Sequence, residues 1–161
     1  MLRRYREEDF VLLSSWVTDE DILFRFSGID FQFPLSLQQF QAYQRRHPDR
    51  VFFIFESNDT AVGFAEIIPN EKAASVRLGR LLIGNPELRG MGLGKQLVRE
   101  LIIEATTNFG AREIDLYVDN DNIAGITCYG SNGFHFSDIP PFTLDFAGRK
   151  YIIRHMRHSG Y

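Results

Sequence analysis

Residues 88–95 read LRGMGLGK, three glycines within five positions, flanked by Arg89 and Lys95 and set between the runs VRLGRLLIG and KQLVRELIIEA. A glycine inside a helix or strand costs roughly 0.5–1 kcal/mol relative to alanine, so the segment either turns the chain or binds something. A strand, a glycine-rich turn and a helix in succession build an anion site. The first amides of a helix have no intrahelical partner and lie at the positive end of its dipole. Glycines let the backbone approach a phosphate closely, and Arg89 and Lys95 add positive charge. The competing reading is a tight strand-to-helix turn with two solvated basic residues, and the glycines alone leave both standing.

Residue identities exclude two other phosphate loops. In a Walker loop the Gly-Lys pair is followed by Ser or Thr, but Gln96 follows Lys95, and Arg89 stands where the first glycine belongs. In a dinucleotide fingerprint a third glycine falls three residues after Gly94, where Leu97 stands. His47, His135, His155 and His158 show no metal-ligand spacing on a common element, so no metal is expected. Cys128 has no identifiable His or Asn partner and reads as a small buried residue rather than a nucleophile.

The elements that would position this segment follow from hydrophobic periodicity. LRRY at 2–5 reads as a first strand, and REEDFVLLSSWV as a helix placing Phe10, Leu13, Trp16 and Val17 on one face, with acidic residues in its first turn. DEDILFRF is a second short helix, broken by GIDFQFP. SLQQFQAYQRRH is a third, capped by Ser36 and ended by Pro48. VFFIFES and TAVGFAEII form a hairpin around NDT, and ASVRLGRLLIG is the next strand. Behind the glycines, Leu93, Leu97 and Leu101 make a stripe with Val98, Ile102 and Ala105 beside it, an amphipathic helix closed by Gly110. REIDLYV alternates Ile114, Leu116 and Val118 against Glu113, Asp115 and Tyr117. NIAGITCYGSN is a short helix, and GFHFS and KYIIRHM are closing strands separated by the loop DIPPFTLDFAG. The class is α+β, a central mixed sheet in one domain over 1–161.

Composition bounds the setting. At 161 residues, 44% hydrophobic and 24% charged, the chain suits one soluble domain with a substantial core. Its net charge of −3 lacks the attraction to phosphate backbones on which nucleic-acid binders depend, so no nucleic-acid partner is expected. The single cysteine fits a reducing compartment. The opening MLRRYREEDF has no apolar run behind its basic residues, and no stretch approaches the ~20 apolar residues of a membrane span. The expected location is cytoplasmic, away from membranes.

The pattern R-x-x-G-x-G, Arg89 through Gly94, resembles the acyl-CoA pyrophosphate loop of the GNAT family of N-acetyltransferases. Downstream, Asn122, Tyr129, Gly133 and Phe134 match that family's Asn, Tyr and Gly-Phe spacings, with Gly125 where Ala is common. One helix and one strand separate the two motifs, as in the family. The resemblance covers roughly residues 50–157; REEDFVLLSSWV and FAGRKYIIRHM look like the opening and closing segments of the branch with ribosomal-protein-alanine and spermidine N-acetyltransferases.

The resemblance implies a GNAT fold whose sheet splays between strands 75–83 and 112–118 and receives the pantetheine arm of acetyl-CoA in the gap. Backbone groups of Leu81, Leu82 and Ile83 would pair with that arm. The amides of Gly90, Met91, Gly92, Leu93, Gly94 and Lys95, with the Arg89 side chain, would hold the pyrophosphate. Asn122 would bond the arm while capping its helix, and Tyr129 would contact the cofactor and protonate the departing thiolate. A phenol of ordinary pKa, about 10, is protonated at neutral pH and can do so. Family members often carry a basic Glu on the fourth strand; here that strand has Arg77 and Arg80 and no acid. Glu66, on the preceding strand, is the alternative base through water, weighed against a solvent-facing strand position; Glu87 reads as exposed. Trp16, Phe24, Phe26, Phe31, Phe33 and Phe142 fill the core or wall the acceptor pocket. The implied activity is transfer of acetyl from acetyl-CoA, as co-substrate and without metal, to a primary amine of a small molecule or protein in a ternary complex. The acidic balance tilts the acceptor towards cations, and a homodimer is compatible because many relatives form one. The alternatives are an inactive CoA-binding regulatory domain and an interaction domain whose glycines only turn the chain.

Overall fold

The computed structural model describes residues 1–160; Tyr161, the last residue of the expected domain, lies outside them. One mixed sheet runs in the order β1 (Leu2–Arg4), β2 (Val51–Ser57), β3 (Thr60–Asn70), β4 (Ser75–Ile83), β5 (Glu113–Asp119), β8 (Arg149–His158) and β6 (Phe134–Phe136). The β4–β5 pair is parallel, because α4 (Leu93–Asn108) carries the chain across one face between them. The remaining pairs among the described strands are antiparallel.

Side-chain alternation sorts the core onto two faces. Along β2, Phe53 and Phe55 join Ala65, Val76, Leu78, Leu97, Leu101, Leu116 and Met156 under α4. Phe52 and Ile54 point the other way, to Leu13, Trp16, Phe40 and Tyr43 of α1 (Phe10–Trp16) and α3 (Leu37–Arg46), with Phe26 of α2 (Glu20–Ser27). Trp16, Phe24, Phe26 and Phe31 are buried, whereas Phe33 and Phe142 are 41% and 43% exposed, so the core takes most of the aromatic set and leaves two for an outer wall.

The elements form where the periodicity places them, with two differences. The acidic turn Glu7–Asp9 is a single 3-10 turn leading into α1, and Asp9 is buried rather than left to the helix dipole. Both its carboxylate oxygens accept from Arg3 of β1 at 2.8 Å, and Oδ2 also accepts from the Arg6 amide. The expected loop DIPPFTLDFAG contains a further strand, β7 (Phe142–Phe146), paired with β8 from Phe142↔Ile153 to Phe146↔Arg149. Its hairpin turns on Ala147 and Gly148, both at positive φ, the geometry that matches strand twist. Two prolines and a largely exposed edge hide this strand from periodicity.

Candidate active site

The splay expected of the sheet is present. Pairing between β4 and β5 runs from Ser75↔Glu113 to Leu78↔Leu116 and stops, although β4 continues to Ile83 and β5 to Asp119. Beyond Leu78 the two strands part, while β4 stays bonded to β3 and β5 to β8. A bulge accompanies the parting: Phe64 faces Leu82 and Glu66 faces Gly79, so Arg80 and Leu81 both stand against Ala65. Arg80 sits at φ +50°, a conformation costing roughly 1–2 kcal/mol for a residue with a Cβ.

What holds Arg80 there is a charge cluster buried at Glu66 and open at Asp30. Its guanidinium donates to Glu66 Oε2 at 2.9 Å and to Asp30 Oδ2 at 2.6 Å, and lies 4.1 Å from the ring centroid of Tyr43. Glu66 Oε1 accepts from the Tyr43 hydroxyl at 2.7 Å and faces Arg50 at 3.5 Å. Glu66 is 0% exposed, so the solvent-facing position weighed for it does not hold. Burial pushes its pKa up, opposed by Arg80 and Arg50. With both oxygens engaged, Glu66 ties β3 to the bulge in β4 through Arg80.

At the other end of β4 the chain enters the glycine segment. Gly84 lies under the Trp16 indole, whose ring atoms would be 2.1–2.3 Å from a Cβ there, so only glycine fits. A 3-10 turn over Pro86–Leu88 follows, capped by Asn85 Oδ1 at 2.9 Å from the Glu87 amide. Gly90 and Gly92 take φ of +77° and +84°. Gly92 is the N-cap of α4 and, lacking a side chain, offers no cap hydrogen bond; no acidic residue occupies the first turn. The helix therefore presents the amides of Leu93, Gly94 and Lys95 without a hydrogen-bond acceptor among the described residues, with Lys95 exposed beside them. Arg89 turns back, donating to the carbonyl oxygens of Ile83 and Gly84 at 3.2 and 3.4 Å, and so staples the loop to the end of β4. Alongside α4 a groove of about 770 Å³ runs past Gly92, Lys95, Arg99, Ser131 and Asn132.

Helix α5 (Ile123–Gly130) closes this side. Asn122 is its N-cap, its Oδ1 accepting from the Gly125 amide at 3.0 Å. The cap side chain folds over residue 125, where a Cβ would lie 2.5 Å from Asn122 Nδ2. A Cβ on Gly94 would lie 3.6 Å from Cys128 Sγ and 3.9 Å from Ile83, so α4, α5 and β4 converge at that point. Tyr129, next in line, is half-buried with its ring edge-on to Phe134 at 6.3 Å. Burial pushes its phenol above the ordinary range, and the neighbouring Cys128 adds to this. The hydroxyl stays protonated through the neutral range. Burial likewise raises the Cys128 thiol, with Lys95 acting against it, which keeps that thiol from being a ready nucleophile.

The opposite face carries a second polar network. Arg77 donates to Asp115 Oδ1 at 2.6 Å and lies 4.6 Å from the Tyr117 ring centroid, bolting β4 to β5 just before they part. Asp115 Oδ2 is 3.3 Å from His155 Nε2, and His155 Nδ1 is 2.6 Å from Ser137 Oγ. The sequence reading assigned nothing to these groups or to Asp30 and Asp119, because they come together only across strands.

A mixed sheet parted beside an uncapped, glycine-lined helix N-terminus, with a protonated phenol on the adjoining helix, defines a transferase that takes its group from an acyl thioester of CoA. Residues 14–134 match the family described as Acetyltransferase (GNAT) family. The chain belongs to that family, and it is an acetyl-CoA-dependent N-acetyltransferase. Solved structures agree in fold. The spermidine N-acetyltransferase from Vibrio cholerae in complex with CoA and spermine superposes with a TM-score of 0.79 at 19% identity, over 98% of this chain and 93% of that one. The ribosomal-protein-alanine N-acetyltransferase from Brucella melitensis gives 0.73 at 22% identity, over 98% of each chain. A putative phosphinothricin N-acetyltransferase gives 0.77 at 16%, over 98% and 96%.

Proposed function

We propose that the protein acetylates a primary amine by direct attack on acetyl-CoA within a ternary complex, with no acetyl-enzyme intermediate. The observation that carries this reading is the parting of β4 from β5 where Ile83, Gly94 and Cys128 converge. Backbone groups of Leu81, Leu82 and Ile83 pair with the pantetheine amides along the open edge of β4. The amides of residues 90–95 hold the pyrophosphate, and Lys95 and Arg99 line the groove into which the nucleotide end runs. Arg89 both braces this loop and faces the phosphates. Asn122 keeps α5 in register, and Tyr129 delivers its phenolic proton to the departing thiolate. Holding both substrates across the sheet supplies much of the rate, up to about 7–11 kcal/mol in well-oriented reactions.

Glu66 is not the base in this scheme; it fixes the bulge from which the open edge of β4 starts. The acceptor enters from the face that carries α2, where Asp21, Asp30 and Asp121 lie at the surface and favour a cation such as a polyamine or a protein N-terminus. A reducing compartment, the cytoplasm, suits the single cysteine.

Isothermal titration with acetyl-CoA and CoA tests the scheme, each repeated on Gly92→Glu. Micromolar binding by the parent and none by the variant supports the cradle, since glutamate adds negative charge and a strained φ at one position. No binding by the folded parent protein overturns the reading.

A further inference from the structure

Asp119 is the last residue of β5, beyond the point where β4 and β5 part. On this strand Leu116 and Val118 enter the core under α4, while Asp115 and Tyr117 face the other way, towards Arg77 and His155. Asp119 shares their parity and is paired with Ile153, which packs with Phe24 of α2 and Tyr151. Helix α2 contacts β4 on one side and these β8 residues on the other, so it bridges the opening with the end of β5 beneath it.

Asp119 is only 8% exposed. Its Oδ1 accepts from the Asp121 amide at 3.2 Å, an ordinary Asx turn. Its Oδ2 is buried with no hydrogen-bond partner among the described residues. An unpartnered buried polar atom costs about 1–3 kcal/mol, more when charged, and a fold keeps one only for a reason. Nearby charges do not supply the partner: Arg149 is directed to Asp21 and Asp121, each at 3.9 Å.

We infer that Asp119 Oδ2 receives the N–H of the acceptor amine, and that Asp119 is the catalytic base which Glu66 is not. This rests on the acetyltransferase scheme above. The neutral amine donates to Oδ2 while its lone pair attacks the thioester carbon and the carbonyl π pair moves to oxygen. As an oxygen lone pair re-forms the carbonyl, the C–S bond breaks and its electron pair leaves with sulfur, which takes the proton of Tyr129. The nitrogen, made strongly acidic by acylation, gives its proton to Asp119. Solvent then takes that proton from Asp119 and restores the Tyr129 phenol, leaving amide and free thiol.

Asp119→Asn separates this role from a structural one, because asparagine keeps the Asx turn and removes only the basic oxygen. The probe is n-butylamine at high concentration, small enough to need no further recognition, with thiol release followed alongside isothermal titration of acetyl-CoA. The expected result is a fall of at least about 100-fold in kcat/KM for the amine, the scale of a lost general base, with acetyl-CoA affinity unchanged and thermal stability not lowered. Equal turnover by parent and variant, or a variant that loses acetyl-CoA binding as well, overturns the assignment. A parent that binds no acetyl-CoA instead overturns the acetyltransferase scheme, a separate outcome read in the same titration.

Discussion

On the α4 face, the opening in the sheet is lined by groups that act through backbone: Gly90 and Gly92 at left-handed φ, uncapped helix amides, and the free edge of β4. On the α2 face, the same opening is lined by side-chain charge: Asp30–Arg80–Glu66, Arg77–Asp115–His155, and Asp119. In the proposed scheme the difference matches what each side has to recognise. A cofactor of fixed shape can be bound by amides set at fixed positions along one contiguous segment. In that scheme the acceptor amine needs a placed proton acceptor, and the groups around it come from β3, β4, β5, β8 and the segment after α2 that carries Asp30.

If the charged face is what shapes the opening, removing its centre has the largest effect. Glu66→Ala leaves Arg80 buried with Asp30 as its remaining acidic partner. The expected loss is about 3–5 kcal/mol in urea unfolding, as for a broken buried ion pair, and weakened acetyl-CoA binding should accompany it because the bulge relaxes. Unchanged stability would mean the cluster does not hold the bulge. Next in size, Tyr129→Phe is expected to lower kcat by about 100-fold, the lower end for a lost general acid, with CoA affinity within twofold. Equal loss of affinity would make the phenol a cofactor contact rather than a proton donor.

A third change reads a carboxylate remote from the opening. Arg3, through its hydrogen bonds, holds the Asp9 carboxyl below its ordinary range against the opposing effect of burial. A depressed folded pKa gives stability that is full above the unfolded value, near pH 4, and is lost as pH falls through the folded one. Asp9→Asn should therefore be destabilised at neutral pH and show a flatter loss of stability below about pH 4 in a denaturation series. A parallel acid limb would assign that loss to other carboxylates. The smallest effect belongs to the backbone face: Gly92→Ala meets no atom within 4 Å, so only its φ of +84° is penalised. The expected loss is about 1–2 kcal/mol in urea unfolding.

The backbone face was legible because its chemistry is local. Gly90, Gly92 and Gly110 declare their turns through residue type, and the stripe Leu93–Leu97–Leu101 fixes the helix behind them. Asn122 and Tyr129 stand on one short helix at a spacing the chain itself preserves. Strand β7 was not legible, since FTLDF follows two prolines and leaves much of itself exposed.

The sequence by itself determined the order of the elements apart from β7, the site of the glycine turn and the identity of the cap residues, all of which depend on neighbours within a few positions. It also carried the family motifs. Only the tertiary structure decided that Glu66 is buried among Tyr43, Arg50 and Arg80, which lie 23, 16 and 14 residues away. The same holds for Asp119, to which the sequence attaches no role and whose Oδ2 is buried without a partner among the described residues. Charge pairing and desolvation depend on distance in space, and periodicity along the chain carries no information about which distant side chains will share a face.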